Sequence, residues 1–187
     1  MPLAKPMRRQ LAHRRQIISD GYQREDGLWD IEARMTDVKT APVDNLERGG
    51  FVSAGEPFHD ISARLTIDAT FTIVSADAVI DASPFKNCPA AAKAFGRLVG
   101  TQIGPGWHKE AQDRVAGVAG CTHITELLPV LATTAIQSLW PTLGDDVLRV
   151  GSRFLLNSCR SWAQDGEVVK RHLPELYQSS KPLESIE

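Results

Sequence analysis

Five side chains of metal-ligating type fall into three short segments of the chain: His59, Asp60, Cys88, Cys121 and His123. Thiolates and imidazoles together are common ligands of zinc and iron in proteins. Because the chain has three cysteines, they cannot all pair as disulfides, and unpaired thiols are often buried, metal-bound or reactive. The residue types therefore predict a mononuclear zinc or iron site drawn from these five residues.

Cys88 and Cys121 are each expected just outside the N-terminus of a helix. Cys88 precedes Pro89, a favoured first helical residue, and Cys121 precedes an apolar helical repeat. The free amides and the positive dipole end at such positions favour the thiolate, which binds metals and attacks electrophiles. His123 lies next but one after Cys121, so the sulfur and imidazole of this pair could bind one ion.

His59 and Asp60 are expected at the start of a strand. Neighbouring residues on a strand point to opposite faces, so both bind one ion only where the backbone is irregular. Otherwise one is a ligand and the other orients an imidazole. If the cysteines and histidines hold the ion, Asp60 is free to act as a catalytic base, which makes Asp60 and His59 the candidate catalytic residues.

The same residues admit other interpretations. Cys88 or Cys121 could be a nucleophile activated by a histidine and oriented by Asp60. The thiols could also be buried structural cysteines beside surface histidines. A pocket with a catalytic His/Asp pair would need no cofactor. The sequence contains no P-loop, nucleophile elbow or HExxH motif that would favour another chemistry.

Hydrophobic periodicity predicts the elements that position these residues. Alternating apolar residues predict strands over 28–38, 61–68 and 71–82. Helical patterns follow over 89–99, over 107–117 and from residue 122 onward. Pro129 should kink or divide the last helix. The predicted fold is α+β, a three-stranded mainly antiparallel sheet with the C-terminal helices packed on one face.

Length and composition indicate a single soluble domain. The chain has 187 residues, of which 42% are hydrophobic and 24% charged. The longest uncharged stretch, 127–144, contains prolines and polar residues, so it is interpreted as a buried helix and no membrane partner is expected. No apolar run follows the N-terminal basic residues, which predicts a cytoplasmic protein without a secretory signal.

Positive charge is concentrated at the N-terminus, where five basic residues precede Asp20: Lys5, Arg8, Arg9, Arg14 and Arg15. Residues 1–20 show little regular pattern and are predicted to form a basic arm, followed by one domain over 21–175 and a tail over 176–187. The arm is expected to pack across its own acidic domain rather than bind nucleic acid. A small-molecule substrate is expected, and a homo-oligomer is compatible with the sequence.

Four segments together resemble a bacterial family known only as a domain of unknown function: GLWDIEARMTDVK, GEPFHDISARLTID, PFKNC and GVAGCTHITELL. The resemblance covers most of residues 13–140, is most specific in GCTHITELL and implies no activity. A more distant resemblance is to the iron–sulfur cluster assembly scaffold of the IscU and NifU N-terminal type. It implies an IscU-like fold with a metal-handling or cluster-handling role.

In the scaffold resemblance, the scaffold's Cys-Gly-Asp loop falls on 58–60, its middle cysteine on Cys88 and its final His-Cys on Gly120-Cys121. Phe58 and Gly120 stand where the scaffold has two of its ligands, although His59 and His123 lie beside those positions. Two thiolates with two imidazoles suit a single ion better than a transient cluster.

The combined prediction is a metal-dependent lyase or hydrolase in which the ion acts as a Lewis acid on a small carbonyl or hydroxyl compound. Two alternatives stay open. One is a non-enzymatic scaffold that handles metal or iron–sulfur clusters. The other is a cofactorless lyase that uses a His/Asp pair.

Overall fold

The computed structural model describes residues 3–143, 151–152 and 155–179. Within these ranges the strands are β1 (His13–Gln23), β2 (Trp29–Lys39), β3 (Val43–Asn45), β4 (Gly50–Val52), β5 (Pro57–Ile67) and β6 (Ile73–Ala82). The α-helices are α1 (Trp107–Val115), α2 (Thr122–Leu139) and α3 (Glu167–His172), and a long 3-10 segment occupies Cys88–Leu98. The fold is therefore α+β, with an antiparallel sheet and helices, as the sequence predicts.

The main sheet has four strands in the order β1-β2-β5-β6, and all neighbouring pairs are antiparallel. The prediction of three strands is wrong because β1 carries no apolar alternation, ten of its eleven residues being exposed. Its backbone nevertheless pairs with β2 along its whole length, from His13 opposite Lys39 to Gln23 opposite Trp29. Residues 13–20, assigned to a basic arm from the sequence, thus belong to the sheet.

The three predicted strands correspond to β2, β5 and β6, and β5 begins at Pro57, earlier than expected. His59 and Asp60 consequently lie inside β5, where the pairing shifts register just before His59 on the β2 side and just after Asp60 on the β6 side. Between β2 and β5, the short strands β3 and β4 form a separate two-stranded hairpin.

One face of the main sheet packs on the helices, and this side holds the hydrophobic core. Burial of apolar surface here is the main contribution to folding stability. The inward residues of β2 and β5 include Ile31, Ala33, Met35, Ile61 and Leu65. They share the core cluster with Phe95 and Leu98 of the 3-10 segment, Trp107 of α1 and the leucines of α2. On the opposite face, which is called the open face below, each of the four strands has exposed side chains: Ile18, Arg34, Arg64 and Val79.

The helical region differs from the prediction in one element. The helix expected over 89–99 is a 3-10 segment, because Phe95 and Leu98 are buried and Ala92 packs against the core at a spacing of three, which matches one 3-10 turn. α2 continues through Pro129 as one element, so this proline does not divide it. Most of the predicted tail over 176–187 lies outside the described residues. In the part of the chain that is described, no helix is long and apolar enough to cross a membrane.

Candidate functional site

A row of polar side chains crosses three strands at one end of the core face. Arg15 on β1 lies directly opposite Asp37 on β2, and Asp37 lies opposite His59 on β5. Residues directly opposite each other in an antiparallel sheet share a face, so all three side chains point toward the helices. The first turns of α2 cover this row, since His123 of α2 stacks on His59.

Asp37 is the buried centre of the row, with 2% of its surface exposed. Arg15 donates two hydrogen bonds to the carboxylate, from Nε to Oδ1 at 2.9 Å and from Nη2 to Oδ2 at 2.7 Å. His59 Nδ1 lies 3.0 Å from Oδ2, and His13 Nε2 lies 3.0 Å from Oδ1. The hydrogen bonds and charge of Arg15, with a smaller contribution from His59, lower the pKa of Asp37 to about 2 against the opposing effect of burial. Asp37 is therefore ionised at neutral pH, and both of its oxygens are engaged.

His59 is held between Asp37 and His123. An ionised carboxylate only accepts hydrogen bonds, so Nδ1 of neutral His59 carries the proton and Nε2 carries the free lone pair. The His123 ring stacks on His59 with a centroid distance of 3.8 Å and an angle of 34° between the ring planes. Burial and then repulsion from His123 lower the pKa of His59, although Asp37 acts in the opposite direction. His59 thus offers a basic nitrogen at neutral pH, suited to metal binding or proton abstraction.

The start of α2 adds a thiol and an ion pair. Cys121 is the N-cap residue of α2, which confirms its predicted position, and its Sγ lies 3.9 Å from His123 Nδ1. One turn further along, Glu126 forms an ion pair with Arg15 and so connects α2 to β1. The N-terminal part of α2 therefore contacts the row of polar side chains at two residues, His59 and Arg15.

Asp37, His59 and His123 form a group that could hold a metal ion. One ligand atom from each residue lies within 4.8 Å of the others. They come from β2, β5 and α2, so the group exists only in the folded chain. Two imidazoles and a carboxylate form a known ligand set for catalytic zinc and for non-haem iron.

The structure brings together three of the five residues predicted from the sequence: His59, Cys121 and His123. Asp60 lies on the open face of the sheet because it follows His59 in β5 and the two residues pair consecutively with Asp37 and Thr36 of β2. Arg34 donates hydrogen bonds of 2.8 and 2.6 Å to its two carboxylate oxygens and lowers the pKa of Asp60. Cys88 opens the 3-10 segment, outside the Asp37, His59 and His123 group.

The sequence prediction missed Asp37, although the sequence contains a pattern that could have indicated it. Asp37 lies two residues after Met35, in the series of alternate positions of β2 that face the core, so its carboxylate is on the buried face. A buried charge requires polar partners, and this requirement indicates a polar site. Arg15 and His13 had no comparable pattern, because β1 is exposed along almost its whole length.

Residues 13–137 match the family described as Protein of unknown function (DUF2889). The chain belongs to this family. The match begins at the first residue of β1 and ends within α2, so it covers the main sheet and every residue of the candidate site. Neither a curated protein nor a solved structure matches the chain. The expected resemblance to a family of unknown function is confirmed, whereas the resemblance to the iron–sulfur scaffold stays a prediction.

Proposed function

We propose that the protein binds a single zinc or iron ion at His59 and His123 and uses it as a Lewis acid in lyase or hydrolase chemistry on a small carbonyl or hydroxyl compound. One observation carries the proposal: three separate elements present ligand atoms of Asp37, His59 and His123 within 4.8 Å of one another. With the Cys121 thiol beside His123, the donor set is rich in nitrogen and sulfur, which suits zinc or iron better than magnesium or calcium.

Asp37 is better placed to orient His59 than to bind the ion itself. Arg15 occupies both carboxylate oxygens, and its positive charge opposes a second cation at the same place. A carboxylate that accepts a hydrogen bond from Nδ1 of a metal-binding histidine fixes the tautomer of the ring and directs Nε2 to the metal. In the proposed site His59 and His123 are the ligands and Asp37 orients His59, which leaves coordination positions for water or substrate.

Elemental analysis tests the proposal on protein purified without chelator or nickel affinity resin. We expect about one zinc or iron ion per chain, as in other mononuclear sites, and loss of the ion in His59→Ala and in His123→Ala. Asp37→Asn should retain the site with affinity lower by about 10-fold to 100-fold, as for other residues that orient ligands. Asp60→Asn and Cys88→Ser are matched controls that should keep the ion. A folded wild type that contains no metal and fails to bind added zinc or ferrous iron would contradict the proposal.

A second candidate is a cofactorless lyase in which His59 is the general base. The contact of 3.0 Å between His59 Nδ1 and Asp37 Oδ2 favours it, because an engaged carboxylate orients the base without any ion. Activity that survives a chelator, depends on His59 and falls as the pH drops through the His59 pKa would favour this candidate. Activity restored only by added metal would exclude it.

The non-enzymatic scaffold has less support from the geometry. The scaffold resemblance requires Asp60, Cys88 and Cys121 to converge, but Asp60 lies on the open face and pairs with Arg34. Cys121 packs against the core on the opposite side of the sheet. Stoichiometric transfer of metal to an acceptor protein, with no turnover of a small molecule, would favour the scaffold over an enzyme.

A further inference from the structure

The outer edge of β1 has no strand beside it in the part of the chain that the structure describes. β1 pairs with β2 on one side, and no strand in the described ranges pairs with its other side. Its side chains are exposed, including Ile18 at 61% and Tyr22 at 50%. An eleven-residue edge strand without proline is a template for pairing with another strand.

Two charged residues on this edge strand, Arg14 and Asp20, form no ion pair with any residue that the structure describes. Both point to the open face, because Arg14 lies opposite Val38 and Asp20 lies opposite Glu32. Like charges directly opposite each other destabilise a strand pair, so Asp20 has an unfavourable neighbour within its own chain. A cation from outside the chain would relieve this repulsion.

We propose that β1 pairs antiparallel with β1 of a second copy about a twofold axis at Ile17, which joins the two four-stranded sheets into one. In this register Arg14 of each copy lies directly opposite the partner's Asp20. The proposal does not depend on the metal site.

Self-pairing explains the distribution of charge along this edge better than a nucleic acid partner does. Antiparallel pairing of identical strands brings the first half of one strand beside the second half of the other, so opposite charges in the two halves favour it. β1 has Arg14 before its centre and Asp20 after it. A nucleic acid surface would be basic throughout, and Asp20 would oppose it. Pairing would also cover the exposed apolar residues at the centre of the strand, Ile17 and Ile18.

Sedimentation equilibrium of the full chain, with charge-reversal variants, tests the proposal. We expect a wild-type dimer of about 41 kDa, twice the chain mass of 20.5 kDa. Arg14→Asp and Asp20→Arg each place like charges across the axis twice and should raise the dimer dissociation constant by about tenfold or more. The double variant restores opposite charges across the axis and should dimerise like the wild type.

Asp77→Arg is the matched control, since it reverses the same charge on the same open face but on β6, at the far edge of the sheet. It should leave the dissociation constant unchanged. Circular dichroism confirms the fold of each variant, because all three positions are exposed. A wild type that stays monomeric at its highest soluble concentration overturns the proposal. So does a dimer that neither reversal weakens, or a double variant as weak as the single ones.

Discussion

Replacement of Asp37 by Asn tests whether this buried carboxylate organises the site. Asparagine keeps the shape of the side chain but removes the negative charge of the carboxylate, which accepts hydrogen bonds from Arg15 and His59. The variant therefore imitates the protonated acid. The pKa of Asp37 falls from 3.8 to about 2, which at about 1.4 kcal/mol per pH unit corresponds to about 2–3 kcal/mol. The side chain is 3% exposed, so solvent screens these interactions little. We expect the free energy of unfolding of Asp37→Asn to be lower than that of the wild type by about 2–3 kcal/mol at neutral pH.

The dependence on pH gives a second, independent readout. Because the folded-state pKa of Asp37 is depressed, its stabilisation is fully present above about pH 4 and is lost as the pH falls toward 2. Asparagine does not titrate, so the difference between wild type and variant should close over this interval. Urea denaturation at several pH values measures the free energy of unfolding directly. A melting temperature lower by about 5–10 °C at neutral pH should accompany the change.

Asp60→Asn is the control for this experiment, since it makes the same chemical change on the same sheet. The partner of Asp60 is Arg34, whose side chain is 61% exposed, so water screens the pair and the loss of stability should be smaller. Two results would refute the reasoning. One is a loss in Asp37→Asn no larger than in Asp60→Asn. The other is a difference from wild type that is the same at pH 2 as at pH 7.

Two further predictions concern the surroundings of this row. The pKa of His59 should lie below 6.5 and should rise in His123→Ala, because burial and repulsion from His123 both lower it. NMR titration of the ring protons measures this pKa. A value at or above 6.5 in the wild type would contradict the prediction. Gly120→Ala should lower the free energy of unfolding by about 1–3 kcal/mol, because the added Cβ overlaps the backbone oxygen of Val115. Gly96→Ala is the control, since its added Cβ would have its nearest neighbour at 3.8 Å, and it should lower the free energy of unfolding much less. Equal losses of free energy in the two variants would show that a small shift of the backbone relieves the overlap at Gly120.

The strands that form the centre of the sheet could be predicted because each has one buried face. Alternation of apolar and polar residues follows from that burial, and β2, β5 and β6 all show it. β1 could not be predicted in this way, since its side chains are exposed and its pairing is carried by the backbone. The 3-10 segment was predicted as an α-helix because an alanine-rich stretch favours helix locally, whereas packing against the sheet selects the tighter turn.

The sequence by itself determined the local placement of the candidate ligands. It puts Cys121 at the N-cap of α2, and it puts His59 and Asp60 near the start of a strand. Only the tertiary structure decided that His59 meets Asp37 and His123, while Asp60 turns to the open face and Arg34. The physical reason is that alternation is a property of one strand. Contact between distant side chains depends on the register of paired strands and on where a helix packs across them.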